Sequence, residues 1–117
     1  MTNASSNRIE NVSDTAFWVC TYRARESLRK DALFKDPYAA LLSQDKGKEI
    51  ADTISGSHFV DWTVIIRTCV IDRLILTAIS EGIDTIINLG AGLDARPYRL
   101  NLPSSLRWIE VDYPHIL

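Results

Sequence analysis

The chain is poor in the residues that build metal centres and disulfide frameworks, with 2 cysteines and 2 histidines in 117 residues. Cys20 and Cys69 stand far apart, and neither belongs to a CxxC or Cys/His group. A zinc site is therefore unsupported, and free thiols in a reducing compartment are expected. His58 and His115 are too widely separated to anchor a metal cluster. A basic excess is also missing: 13 Lys and Arg face 15 Asp and Glu, a net charge of −2. That balance gives no nucleic-acid footprint. Long hydrophobic runs are lacking too. The most apolar stretch, residues 64–79, is broken by Arg67, Asp72 and Arg73, whereas a membrane span needs about 20 apolar residues. The Asn- and Ser-rich start shows no apolar core of a secretory leader. A soluble, cytoplasmic protein without membrane or nucleic-acid partners is expected.

What is present is an ordinary globular balance, 46% hydrophobic and 24% charged residues, enough for one core. The length allows one domain at most, or part of one. Residues 1–13 read as a mobile tail. Asp14 is placed to cap a first helix, with Phe17, Cys20, Ala24 and Leu28 near one face. Arg23, Arg25, Glu26, Arg29 and Lys30 fall on the other, which reads first as a solvated charged face. Asp36-Pro37 starts a short helix with Tyr38, Leu41 and Leu42 on its apolar side. Residues 43–57 are polar, with Gly47 and Gly56 as breakers, and predict a weak helix between loops. A long helix follows to Glu81, ended by Gly82 as its left-handed cap. Its apolar residues cover most of the circumference, which predicts a buried helix. Arg67 shares a face with Val70, Ile71 and Leu74 and needs an anion there. A carboxylate elsewhere in the fold would serve, and so would the carboxylate of a ligand.

After Gly82 the pattern changes. Thr85-Ile86-Ile87-Asn88-Leu89 is short, β-branched and bounded by Asp84 and Gly90, a buried strand. Gly90-Ala91-Gly92 is a turn, and residues 94–100 form a short helix limited by Pro97. Residues 106–112 make a second strand. A helical region over 14–82 thus runs into a strand–glycine loop–helix–strand unit over 83–117. That is the opening of a doubly wound α/β sheet.

A glycine pair between a strand and a helix suits a nucleotide cofactor, since the first permits the turn and the second lets a ligand lie against backbone. Asp112 closes the second strand, and a carboxylate there can accept two ribose hydroxyls. Glu110 shares its strand face, and spacing favours neither acid. A plain βα turn with a solvated strand-end acid is the bland alternative. The string also fits GxGxxA, so a nicotinamide or flavin dinucleotide must be weighed. A pyrophosphate sits on bare amides at a helix N-terminus, and Asp94 in that first turn would repel it. S-adenosylmethionine has no phosphate; its sulfonium and ammonium suit an acidic lip. Its carboxylate needs a cation, and Arg67 and Arg23 are available. Charge matching favours the methyl donor.

Asn88-Leu-Gly-Ala-Gly-Leu-Asp-Ala-Arg96, with Tyr98-Arg-Leu100 and Trp108-Ile-Glu-Val-Asp-Tyr-Pro114, resembles the leucine carboxyl methyltransferase-like family. Upstream, Thr15-Ala-Phe-Trp, Tyr22-Arg-Ala, Leu33-Phe-Lys-Asp-Pro-Tyr-Ala39 and Arg67-Thr68 follow that family's pattern in order. The resemblance covers residues 14–117. It implies a Rossmann-like sheet and S-adenosylmethionine-dependent O-methyl transfer to a small molecule or a carboxylate. By position it implies that Arg67 binds the methionine carboxylate. The loop of Gly90, Ala91 and Gly92 would line the methionine and ribose, Asp112 would hold the ribose hydroxyls, and Arg23 would lie near the carboxylate. Ala95 departs from the threonine usual there. No general base is named. The family's members run much longer, so the resemblance further implies an incomplete N-terminal part, inactive alone and needing another chain to complete its sheet. Two other readings stand beside it: a fragment of a dinucleotide-dependent oxidoreductase, and a non-enzymatic interaction remnant.

Overall fold

A computed structural model describes residues 12–54 and 57–117. The expected tail over residues 1–11 and the breaker Gly56 lie outside the described residues. The element order is α1 (Val12–Ser27), α2 (Ala39–Thr53), α3 (Ser57–Ser80), β1 (Thr85–Leu89), α4 (Arg96–Arg99) and β2 (Arg107–Val111). The molecule is mixed α/β, three N-terminal helices followed by a two-stranded parallel sheet. No helix among the described residues is long and apolar enough to cross a membrane.

α1 starts before Asp14, which sits in the first turn rather than capping it. An acid there still complements the helix dipole. The charged face is not simply solvated. Glu26 is 1% exposed, because its carboxylate turns inward to accept the Leu33 N–H at 3.1 Å and an Arg29 N–H at 3.2 Å. It thereby organises the chain as it leaves the helix. Leu28, expected on the apolar face, lies past the helix end and is exposed.

Asp36 turns the chain toward α2, its Oδ1 accepting the N–H groups of Tyr38 and Ala39, both at 3.1 Å. The helix itself starts later than expected, at Ala39 after Tyr38, so Pro37 lies outside it. α2 then runs through Gly47, correcting its reading as a breaker, with a kink at Gln44 (φ 55°). Gly47 is buried at the α1–α2 crossing. A Cβ there would lie 2.2 Å from the Phe17 carbonyl oxygen, so glycine serves close approach of two helices rather than a bend. Tyr22, Ala51 and Val64 form the small core, with Trp18, Val19 and Val60 against it.

α3 ends as expected. Gly82 adopts φ 105°, and the Gly82 and Ile83 N–H groups donate to the carbonyls of Ile79 and Ala78 at 3.0 and 3.1 Å. Its burial differs from expectation. Val64, Ile65 and Thr68 are buried, while Phe59, Trp62 and Leu74 are 80%, 59% and 63% exposed. Within the described residues α3 packs along one side on α1, so most of its apolar circumference stays open.

β1 and β2 pair in parallel, from Thr85 opposite Arg107 to Leu89 opposite Val111. The alternation separates two faces. Trp108, Glu110 and Asp112 are half-buried, and Ile87, Ile109 and Val111 are exposed. α4 is shorter than the predicted 94–100 segment. Pro97 holds its first turn, and Asp94 stays outside as a side-chain acceptor for the Arg96 N–H at 2.9 Å.

Candidate functional site

The glycine loop grows directly out of the sheet. The N–H groups of Gly90 and Ala91 both donate to the Val111 carbonyl, at 2.7 and 3.2 Å. The chain then turns with φ 65° at Gly90 and 57° at Gly92, left-handed values that glycine adopts without penalty. The Gly92 N–H points to Asp112 and donates to its Oδ2 at 2.7 Å, while Tyr113 N–H donates to Oδ1 at 2.7 Å. These two amides, Gly92 first, hold the Asp112 carboxyl below the usual carboxylate range. The end of β2 is thus fastened to the loop after β1.

This geometry revises the electrostatics expected of Asp94. Its carboxylate is compensated, 2.6 Å from Arg96 Nη1 and accepting the Asn88 amide at 2.9 Å. It does not present a free charge that would repel phosphate. The objection to a pyrophosphate comes instead from Asp112, which already occupies the Gly92 amide. A four-residue α4 also supplies little dipole.

Loop, α1, α3 and the segment after β2 line a half-open cavity of about 680 Å³. Of the predicted residues, Arg23, Arg67, Gly90, Ala91, Gly92 and Asp112 all line it. Glu110 does not. One of its carboxyl oxygens is buried without a hydrogen-bond partner, and burial, then the neighbouring Asp94, push its pKa up. The structure therefore separates two acids that spacing could not.

The two arginines also differ. The Arg67 side chain is exposed to the cavity and makes no hydrogen bond or ion pair among the described residues. Arg23 is engaged. Its Nε donates to Asp36 at 3.2 Å, and its Nη2 donates to Cys20 Sγ at 3.3 Å and to the Leu93 carbonyl. Arg23 ties α1 to both Asp36 and the loop. Burial pushes the adjacent Cys20 thiol up to about 11, which makes it an inert packing group.

Beside the cavity lie contacts that no local pattern in the sequence pairs. Asp72 on α3 accepts from Arg96 Nε at 2.6 Å and Arg99 Nη2 at 2.7 Å. Arg99 also lies over the Phe34 ring, and Tyr98 meets Tyr38 edge-on. The motif residues 33–39 and 98–100 are therefore one contact. Ser13 hydrogen-bonds His115, bringing the start of α1 to the segment after β2. A motif with its members in order signals such contacts; which member meets which needs the fold.

A model of the leucine carboxyl methyltransferase family matches residues 16–117. Three relatives are provisionally named S-adenosyl-L-methionine-dependent methyltransferases. The Frankia alni protein is 37% identical, covering 97% of this chain and 44% of its own length. The Rhodococcus jostii protein is 35% identical, covering 93% and 39%. That of Mycobacteroides abscessus is 33% identical, covering 92% and 40%. The chain spans about two fifths of the length of these relatives. With the match running from α1 through β2, the chain belongs to the leucine carboxyl methyltransferase family.

Proposed function

We propose that the cavity binds S-adenosylmethionine and that the chain is the donor-binding part of an O-methyltransferase for a small molecule or a carboxylate. One observation carries this reading. Arg67, without a protein carboxylate among the described residues, lines the same cavity as the glycine loop and Asp112. A cation at one part of a cavity and a ribose acceptor at another match an amino-acid nucleoside. The names of the relatives support the same cofactor.

The bound cofactor supplies an electrophilic methyl group on a sulfonium. Arg67 gives charge-assisted hydrogen bonds to its carboxylate. The backbone at Gly90 and Gly92 lets the ligand lie close, and Asp112, already ionised by two amides, retains lone pairs for ribose hydroxyls. The contribution of these residues is orientation, which is most of what an in-line transfer asks of a protein. A Rossmann-like sheet and a cytoplasmic setting suit this reading, and the free thiols of Cys20 and Cys69 suit a reducing compartment.

Turnover is proposed to need further structure that covers the apolar sheet face of Ile87, Ile109 and Val111 and adds the acceptor site. The exposure of that face and the short share of the relatives' length support it. Calorimetry with S-adenosylhomocysteine and with NAD tests the cofactor reading. Binding of the first alone is expected. Binding of NAD without S-adenosylhomocysteine would sink it in favour of the oxidoreductase reading, and a folded chain that binds neither would favour an interaction remnant.

A further inference from the structure

A continuous ionic path links α3 to the glycine loop through Arg96 and Asp94, which line the cavity, and reaches Asp72 outside it. Asp72 Oδ1 lies 2.6 Å from Arg96 Nε, and Arg96 Nη1 lies 2.6 Å from Asp94 Oδ2. Asp94 accepts the Asn88 amide at 2.9 Å, which carries the path to the end of β1. Arg96 Nη2 also approaches the Thr68 carbonyl, 3.4 Å away and one residue after Arg67. Arg99 adds a second donor to Asp72 at 2.7 Å. The side chains of Asp72, Arg96 and Asp94 are 13%, 13% and 10% exposed. Burial works against the Arg96 charge, but Asp94 and Asp72 outweigh it and raise its pKa.

α4 has four residues and buries none of them whole, although the Arg99 side chain, over the Phe34 ring, is only 5% exposed. It has no apolar face with which to dock on α3, so the ion pairs do that work. Asp72 lies outside the cavity that Arg67 lines, yet both sit on one rigid helix, five positions apart. Holding Asp72 to the loop therefore holds Arg67 to the loop. We propose that Asp72 is a positioning residue: through Arg96 it sets the separation between Arg67 and the 90–92 loop, so that the carboxylate and nucleoside ends of one ligand are received together. This rests on the S-adenosylmethionine reading.

The test compares two ligands on the full chain, S-adenosylhomocysteine and methylthioadenosine, which keeps the nucleoside but lacks the amino-acid carboxylate. Calorimetry of Asp72→Asn should show S-adenosylhomocysteine weakened about tenfold, the scale of one misplaced charged hydrogen bond. Methylthioadenosine should change less than about twofold, because it never spans the two ends. Equal losses for both ligands would reveal a merely structural role and overturn the proposal, as would no loss for either. Should Asp72→Asn fail to fold, Asp72→Glu carries the same comparison. It keeps both ion pairs with an arm longer by one methylene, and a smaller but still selective loss is expected. A wild-type chain that does not prefer S-adenosylhomocysteine to methylthioadenosine fails earlier. It removes the cofactor reading itself and the proposal with it.

Discussion

The two faces of the small sheet are built on opposite principles. On the cavity side, Asp112, Asn88 and the glycine loop are held by directed bonds: amide to carboxylate, amide to carbonyl, guanidinium to carboxylate. On the other side, Ile87, Ile109 and Val111 present apolar surface that nothing among the described residues covers. The usual order, apolar inward and polar outward, is reversed around this sheet. The difference shows where the chain's own stability resides. It lies in the α1–α2–α3 core and the ionic ties to the loop, while the exposed apolar face adds little until something is laid on it.

The largest cost should fall in the helical core that supports the bonded side, at Gly47. A valine there would place its Cβ 2.2 Å from the Phe17 carbonyl and 2.3 Å from Thr21 Oγ1. Neither the backbone nor a hydroxyl bonded to that same carbonyl can give way freely. The helices must separate, at about 3 kcal/mol, the upper end of overpacking costs. Urea denaturation of Gly47→Val measures it, and an unchanged midpoint would refute the crossing as described.

Gly47 also shows where sequence reasoning stops. The strands, to within a residue at each end of β2, the Asp36 turn ahead of α2 and the Gly82 helix end were legible because each is a local pattern with a local cause. Gly47 reads as a breaker, since a glycine in a polar stretch looks the same whether it bends the chain or admits a second helix. α3 misleads for a related reason. Periodicity reports where apolar residues lie and not whether a partner covers them, so Phe59 and Trp62 read as buried and are exposed. At the site, that the glycine loop, Asp112 and Arg67 would meet at one cavity was legible from spacing and motif order. The tie from Asp72 to Arg96 was not, because the two are 24 residues apart and no periodicity connects them.

The next largest effect falls on binding rather than stability. Arg67→Ala should weaken S-adenosylhomocysteine by about 1.5–3 kcal/mol, the range for a charged hydrogen bond. Because Arg67 has no protein partner among the described residues, its melting temperature should stay near that of the wild type. A large loss of stability with unchanged affinity would return Arg67 to a structural role.

Asp112 and Glu110 sharpen the comparison through pH, since they share a strand face and shift in opposite directions. The Asp112 pKa is lowered in the fold. Its contribution is therefore present above the unfolded value of about 3.9 and is lost as pH falls through the folded value. Asp112→Asn should remove that acid-limb dependence and loosen the loop. The Glu110 pKa is raised, so its effect has the other sign. Folding favours its protonated form, and that advantage fades as pH rises through the folded value. Glu110→Gln should be neutral or mildly stabilising at pH 7, with the difference closing below about pH 4, where both states are protonated. Stability curves against pH for the two variants check this, and parallel curves would show that the strand face does not separate the acids.

The smallest effect on folding should come from the open face. Ile109→Thr and Val111→Thr keep β-branched side chains suited to a strand and remove apolar surface that is about half exposed, 45% and 47% respectively. Stability should move within about 0.5 kcal/mol, as at ordinary surface positions. Self-association should fall, because exposed apolar strands beside free sheet edges are templates for further pairing. Light scattering at rising concentration, alongside a melting curve, reads both quantities at once. If the double variant unfolds instead, this face already supports the fold, and the division between a bonded cavity side and an unsupported outer side would no longer hold.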